Sequence, residues 1–219
     1  MADLMTLDGP RHGAASGAAR QLVILLHGLG ADGNDLIGLA PHWAEILPDA
    51  EFAAPDAPFP CDMSPMGYQW FSVQDRSPAA MLAGVQAAAG SLNAFIDSEL
   101  ERTGLTADRL ALVGFSQGTM MSLYVAPRRA EKIAGVVGYS GRLVAPERLA
   151  GEAVSRPPIL LVHGDADEVV PFESMAMAEQ GLSAADFTVT TLARPRLGHG
   201  IDMAGLQHGG AFLKAAFAA

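Results

Sequence analysis

"RLALVGFSQGTM", Arg109 to Met120, is the stretch on which the fold turns. Leu110–Val113 is a short apolar run of the kind that forms a strand buried on both faces. G-x-S-x-G follows at Gly114–Gly118, and Gln117–Arg129 then has helical character. A nucleophilic serine must project from a tight, strained turn between strand and helix. Side chains flanking it would collide with both elements, so glycine is needed on either side. In this context Ser116 is presented at the C-terminal edge of a sheet. The N–H of Gln117 opens a helix whose dipole favours an oxyanion. As a bare pattern the pentapeptide is weak; its place between a buried strand and a helix gives it meaning.

Working outward, similar runs recur at Leu22–Leu26, Ile133–Val137, Ile159–Val162 and Phe187–Leu192, with a weaker one at Glu51–Ala54. Helical spacing is predicted for Asp35–Leu47, Ala79–Arg102, Glu173–Gly181 and Ile201–Ala218; Leu82, Val85, Ala89, Leu92, Phe95 and Ile96 share one stripe. Strands alternating with helices predict one α/β domain over residues 1–219, a mostly parallel sheet with helices on both faces. Leu4–Leu7 is a candidate antiparallel edge strand. The segment Pro55–Pro78 breaks the rhythm: it is long, rich in proline and without periodicity. Its large apolar residues, Met63, Met66, Trp70 and Phe71 among them, are expected to wall a substrate cleft. The plainer alternative is an irregular loop pinned to the core by its aromatics.

"LVILLHGLGADGND", Leu22 to Asp35, contains G-x-G-x-x-G at Gly28, Gly30 and Gly33. Glu51 lies about 20 residues on, where a ribose-binding acid belongs in a dinucleotide site. Asp32 and Asp35 argue against that reading. They suit a helix N-terminus as capping residues, but they would repel a pyrophosphate there. No cofactor is expected.

A serine nucleophile needs a base, and the base an orienting acid, in the order Ser, Asp/Glu, His. Only His163, His199 and His208 follow Ser116. His163 ends "ILLVHGD" and reads as a structural strand-end histidine; His208 falls within a helical pattern and reads as a surface residue. His199, in "RLGHGID", has small neighbours in a loop after the last strand, which suits an imidazole that must reach Ser116. For the acid, "HGDADEVVP" offers Asp165, Asp167 and Glu168. Asp165 is nearest the strand and could cap its own turn. Asp167 is a step further toward the cleft, and the residues alone leave both open.

Composition narrows the partners. Asp plus Glu number 24 against 14 Lys plus Arg, a formal net charge of −10. No basic face suggests nucleic acid, and the acidity disfavours anionic lipid surfaces. A neutral small-molecule substrate is expected. The chain has no apparent signal pattern or apolar run near the roughly 20 residues of a membrane span. Cys61 is the single cysteine, so a cytoplasmic location is expected. No H-E-x-x-H or Cys/His cluster indicates a metal. A homodimer is left open.

"LHGLGADGND", "GFSQG", "HGDADEVVP" and "GHG" together resemble the bacterial carboxylesterase and acyl-protein thioesterase (phospholipase/carboxylesterase) family of the α/β-hydrolases, in order and over nearly the whole chain. The resemblance implies an α/β-hydrolase fold with no separate cap domain. It implies Ser116 as nucleophile, Asp167 as acid and His199 as base, with an oxyanion hole from the backbone N–H groups of Leu29 and Gln117. The expected activity is hydrolysis of small to medium neutral carboxylic esters. Acyl-protein thioesterase or lysophospholipase activity is the alternative, and a non-catalytic binding protein on the same scaffold a third reading, disfavoured by the intact Ser, Asp and His set. The family often has glycine after "GFSQG", where this chain has Thr119.

Overall fold

The computed structural model describes residues 4–219. In chain order the strands are β1 (Arg11–His12), β2 (Gln21–Leu26), β3 (Ala50–Ala53), β4 (Phe59–Pro60), β5 (Tyr68–Gln69), β6 (Leu110–Phe115), β7 (Gly135–Tyr139), β8 (Ile159–Gly164) and β9 (Val189–Arg194). The α-helices are α1 (Gly33–Ile37), α2 (Ala40–Ala44), α3 (Pro78–Thr103), α4 (Gln117–Val125), α5 (Pro146–Glu152), α6 (Glu173–Ala184) and α7 (Met203–Ala218). Seven strands form one sheet in the order β1-β3-β2-β6-β7-β8-β9. All its pairings are parallel except β1 with β3. The chain is an α/β-hydrolase fold.

Alternation along the strands sorts the core into two layers. Leu22, Ile24, Leu26, Leu110 and Leu112 pack under α3, α4, α5 and α6. Val23, Leu25, Ala111 and Val113 pack under α1, α2 and α7. Strand order reverses between β2 and β6, which pair from Leu22↔Leu110 to Leu26↔Gly114. In open α/β sheets ligands bind beyond the carboxyl ends of strands at such a switch point. "HGLG" leaves β2 there and "FSQG" leaves β6.

Several expectations need correction. The antiparallel edge strand is Arg11–His12, not Leu4–Leu7: Arg11 pairs with Ala53 and His12 with Phe52. The helix expected over Asp35–Leu47 is broken into α1 and α2, because Gly38 caps the first and Pro41 lies in the first turn of the second. The run Ile133–Val137 starts two residues early; Ile133 is fully buried in the connection, and the strand runs on to Tyr139. The helix Pro146–Glu152 and the two-residue hairpin β4–β5 inside Pro55–Pro78 were not expected.

Among the described residues α3 alone is long and apolar enough to cross a membrane, by length and composition only. Much of its apolarity is alanine, and Val85, Ala88, Leu92 and Ile96 are fully buried in the core layer. Its C-terminal end carries Glu99, whose side chain is 3% exposed and accepts hydrogen bonds from Arg11 and Arg102. Arg102 also pairs with Glu51 on β3. A buried carboxylate with two guanidinium partners ties helix, edge strand and sheet together.

Candidate active site

Ser116 is the N-cap of α4 and is held at φ 55°, ψ −112°, a strained conformation for a non-glycine residue. Its N–H donates to Tyr139 O at 2.9 Å, tying the turn to β7. A Cβ on Gly118 would lie 1.8 Å from Leu26 O, and one on Gly114 would lie 2.3 Å from Gly118 C. Both glycines are therefore required by close backbone approach. Thr119 is fully compatible with the turn: its hydroxyl lies 2.8 Å from both Gly114 O and Tyr139 O.

Ser116 lines a cavity of about 210 Å³ together with Leu29, Gln117, Phe115, Met120 and His199. Among the described residues, the N–H groups of Leu29 and Gln117 have no protein acceptor. The first N–H groups of a helix have no intrahelical partner, which explains Gln117. Leu29 is set by His27, which is fully buried. His27 Nδ1 lies 2.7 Å from Gly28 O, and Ala31 N–H also donates to that carbonyl. A trans peptide points its C=O and N–H in opposite directions. Anchoring Gly28 O thus turns the Leu29 N–H away from His27. His27 Nε2 accepts from Ala57 N–H at 2.9 Å, so the proton sits on Nδ1. Burial lowers the His27 pKa, against the opposing pull of the Gly28 carbonyl and of Asp56, and keeps the ring neutral.

His199 Nδ1 lies 2.7 Å from Asp167 Oδ2. Its ring packs on Phe115 with centroids 4.8 Å apart. Ser116 and His199 share the cavity without a hydrogen bond between them; such contacts often tighten only when substrate is in place. Asp167 Oδ1 accepts from the N–H groups of Val169 and Val170, each at 2.9 Å. Its side chain is fully buried. Burial works to raise the Asp167 pKa, but the His199 hydrogen bond and the Val170 and Val169 N–H groups outweigh it and hold the carboxyl below its ordinary value. Asp165 points elsewhere: its Oδ1 accepts from Arg196 N–H at 2.6 Å, pinning the loop that carries His199.

Residues 12–217 match the model of the family described as Phospholipase/Carboxylesterase. The chain belongs to this family. It is a carboxylic ester hydrolase. A similar curated protein is esterase YpfH of Escherichia coli K12, 31% identical over 86% of this chain and 80% of that protein. Acyl-protein thioesterase 1 of Neurospora crassa is 29% identical, over 81% and 79%. The crystal structure of esterase PE8 superposes with a TM-score of 0.93 at 42% identity, covering 97% of this chain and 100% of that one.

Within this family member the structure brings together Ser116, Asp167, His199, Leu29 and Gln117, all expected from sequence. It does not bring the expected acyl wall to the cavity. Trp70 and Phe71 are buried, and Met63 and Met66 are 59% and 77% exposed; none of the four lines the cavity. The reason for Trp70 is polar as well as apolar. Its indole N–H donates to His27 O at 3.0 Å, and its backbone N–H to Gln117 Oε1 at 3.1 Å. Gln117 Nε2 in turn donates to Phe71 O at 2.7 Å. The aromatic pair anchors the loop beneath the site, and Val73 and Arg76 are the loop residues that reach the cavity.

His27 was missed from sequence, and His163, read as a structural strand-end histidine, is that and also borders Asp167. His27 was absorbed into the glycine pattern around it, although a histidine closing a fully apolar strand was itself a signal. His163, read as structural, is buried and places Nε2 2.9 Å from Val170 O and 3.2 Å from Asp167 Oδ2. The carbonyl requires a proton on Nε2, so this ring donates to Val170 O while lying against the same carboxylate as His199. As for a dinucleotide, the start of α1 is already occupied: Asp32 accepts from Asn34 N–H and Asp56 from Gly33 N–H, both at 2.8 Å. His208 is exposed on α7, as expected.

Proposed function

We propose that this enzyme hydrolyses small to medium carboxylic esters, neutral over the part that fills the Ser116 cavity, by two-step acyl transfer. The observation that carries the reading is the 2.7 Å contact between His199 Nδ1 and a buried Asp167, at the wall of the cavity that Ser116 enters. Asp167 fixes the imidazole tautomer, leaving Nε2 as the base. His199 takes the Ser116 proton as Oγ attacks the ester carbonyl. The Leu29 and Gln117 N–H groups donate hydrogen bonds to the developing oxyanion. His199 then protonates the leaving alcohol, and the acyl-enzyme is hydrolysed by water deprotonated by the same ring. Burial of Asp167 with two backbone donors keeps it a carboxylate throughout, so it stabilises the imidazolium.

Labelling with a fluorophosphonate tests the nucleophile directly. One modification at Ser116, with loss of activity toward p-nitrophenyl butyrate, is expected. Labelling elsewhere, or retained activity in the labelled protein, would remove Ser116 from the role.

A second reading, action on long-chain acyl thioesters or lysophospholipids, is favoured by a structural feature. An outer groove of about 550 Å³, lined by apolar residues such as Leu143, Val144 and Met177, adjoins the Ser116 cavity. The similarity to an acyl-protein thioesterase points the same way. Palmitoyl and butyryl thioesters compared at equal concentration separate the two.

A further inference from the structure

The Ser116 cavity and the outer groove share three lining residues: Met81, Arg76 and Arg142. Two arginines thus border both: Arg142 is half-buried, and Arg76 is exposed, with Nε donating to Val73 O at 3.4 Å. Arg11, Arg102, Arg109, Arg128, Arg129, Arg148 and Arg194 sit on carboxylates, whereas Arg20, Arg156 and Arg196 have none within ion-pair distance among the described residues but lie away from both cavities. Among the described residues, Arg76 and Arg142 have no carboxylate within ion-pair distance, in a chain with 24 acidic residues to supply one. The carboxylates in the neighbourhood are Asp35 on the inner cavity and Glu147 on the outer groove. Asp75 is adjacent in sequence but turns to Ser77 N–H.

Arg142 is half-buried, and its Nε is buried without a hydrogen-bond partner. A charged donor left so is costly unless something else supplies the acceptor. The segment that carries it leaves the C-terminal end of β7, at the same sheet edge as Ser116. It is bracketed by two non-glycine residues with left-handed backbone, Ser140 (φ 48°) and Ala145 (φ 51°). Ser140 Oγ is also buried without a partner. Strain of this kind persists where the surroundings hold a residue in a particular place, commonly at a ligand site.

We propose that Arg76 and Arg142 form an anion-binding subsite, and that the preferred substrate is an ester carrying a second, negatively charged oxyanion group. The neutral ester carbonyl occupies the Ser116 cavity, and the carboxylate or phosphate is held by the two arginines that border it, with the apolar groove beyond. The subsite rests on the acyl-transfer reading and names the substrate class for that site. It also means that the overall net charge of −10 is a poor guide to the local field, since the site places unpaired positive charge in an acidic molecule.

The test compares matched esters. One pair is mono-p-nitrophenyl glutarate and its neutral methyl ester; the other is a butyryl glycerol phosphate and monobutyrylglycerol. The anionic member is expected to show a higher kcat/KM by about 10-fold or more, the size of a hydrogen bond to a charged group. Raised salt should shrink the ratio in the wild-type enzyme. Arg142→Gln and Arg76→Gln should each lower it, and Arg142→Lys should keep part of it. The pair that gains tells whether the acyl side or a phosphate-bearing alcohol is read. Because the ratio is taken within each variant and salt acts on wild type, a poorly folded variant cannot decide the result. Ratios near one for both pairs, or a ratio unchanged in Arg142→Gln and Arg76→Gln, would overturn the subsite. Failure of wild type to hydrolyse any of these esters would instead count against the acyl-transfer reading.

Discussion

Asp165 and Asp167 are two positions apart and have different partners. Asp167 faces the imidazole; Asp165 faces a backbone N–H of the loop that delivers that imidazole. Asp167→Asn should therefore lower kcat by about 10⁴-fold, because an amide donor there permits the wrong tautomer. Asp165→Asn keeps an acceptor and should cost only about 1 kcal/mol of loop order. Steady-state kinetics and melting curves on both variants check this; equal losses of kcat would dissolve the distinction. Ser116→Ala should remove about 10⁴-fold or more of kcat with the fold intact by circular dichroism. At this scale the sequence was most legible where chain geometry forces residue type, as at Gly114 and Gly118. It was least legible where partners are remote: nothing near Asp165 signals Arg196, 31 positions away.

At the scale of elements, the β6–turn–α4 unit was readable because an uninterrupted apolar strand, a strained turn and a helix each leave a local signature. The start of β7 was not, since Ile133 is buried as deeply as the strand it precedes. Helix α5 has seven residues with one buried side chain, Leu149, too little for a periodic signal. The Pro55–Pro78 loop misled for another reason: composition reports that large apolar side chains are present, not which way they face. Trp70 faces down, with hydrogen bonds to His27 and Gln117, residues beside the two N–H groups of the proposed oxyanion hole. Trp70→Ala should lower Tm, at a cost of about 3–5 kcal/mol. It should reduce kcat/KM for acetate and hexanoate esters alike. A loss confined to the longer ester would return Trp70 to the acyl wall.

Over the whole molecule, two kinds of buried titratable group set the response to acid, and they act in different pH ranges. His27 has its pKa lowered from an ordinary 6.5, first by burial. The unfolded chain then binds the proton more readily, so stability is complete above about pH 6.5 and is lost as pH falls toward the folded value. Protonation would also set a second donor against Ala57 N–H. Glu99 is lowered from an ordinary 4.5: burial opposes ionisation, but the hydrogen bonds from Arg11 and Arg102 overcome it. Its contribution is therefore complete above about pH 4.5 and fades below that. Calorimetry from pH 8 to 3 should show Tm falling in two phases, one starting near neutrality and one in the carboxylate range. His27→Gln, which retains an acceptor for Ala57, should abolish the first phase. Glu99→Gln should shrink the second, leaving the part that buried Asp167 contributes, and lower Tm at pH 7, because two guanidinium groups lose the charge between them. Removing one partner of such a buried pair costs about 3 kcal/mol, or roughly 10 °C of Tm in a chain of this size. A Tm that stays flat from pH 8 to 5 would show that His27 does not titrate against folding, and the anchoring of Gly28 and Leu29 would then need another explanation.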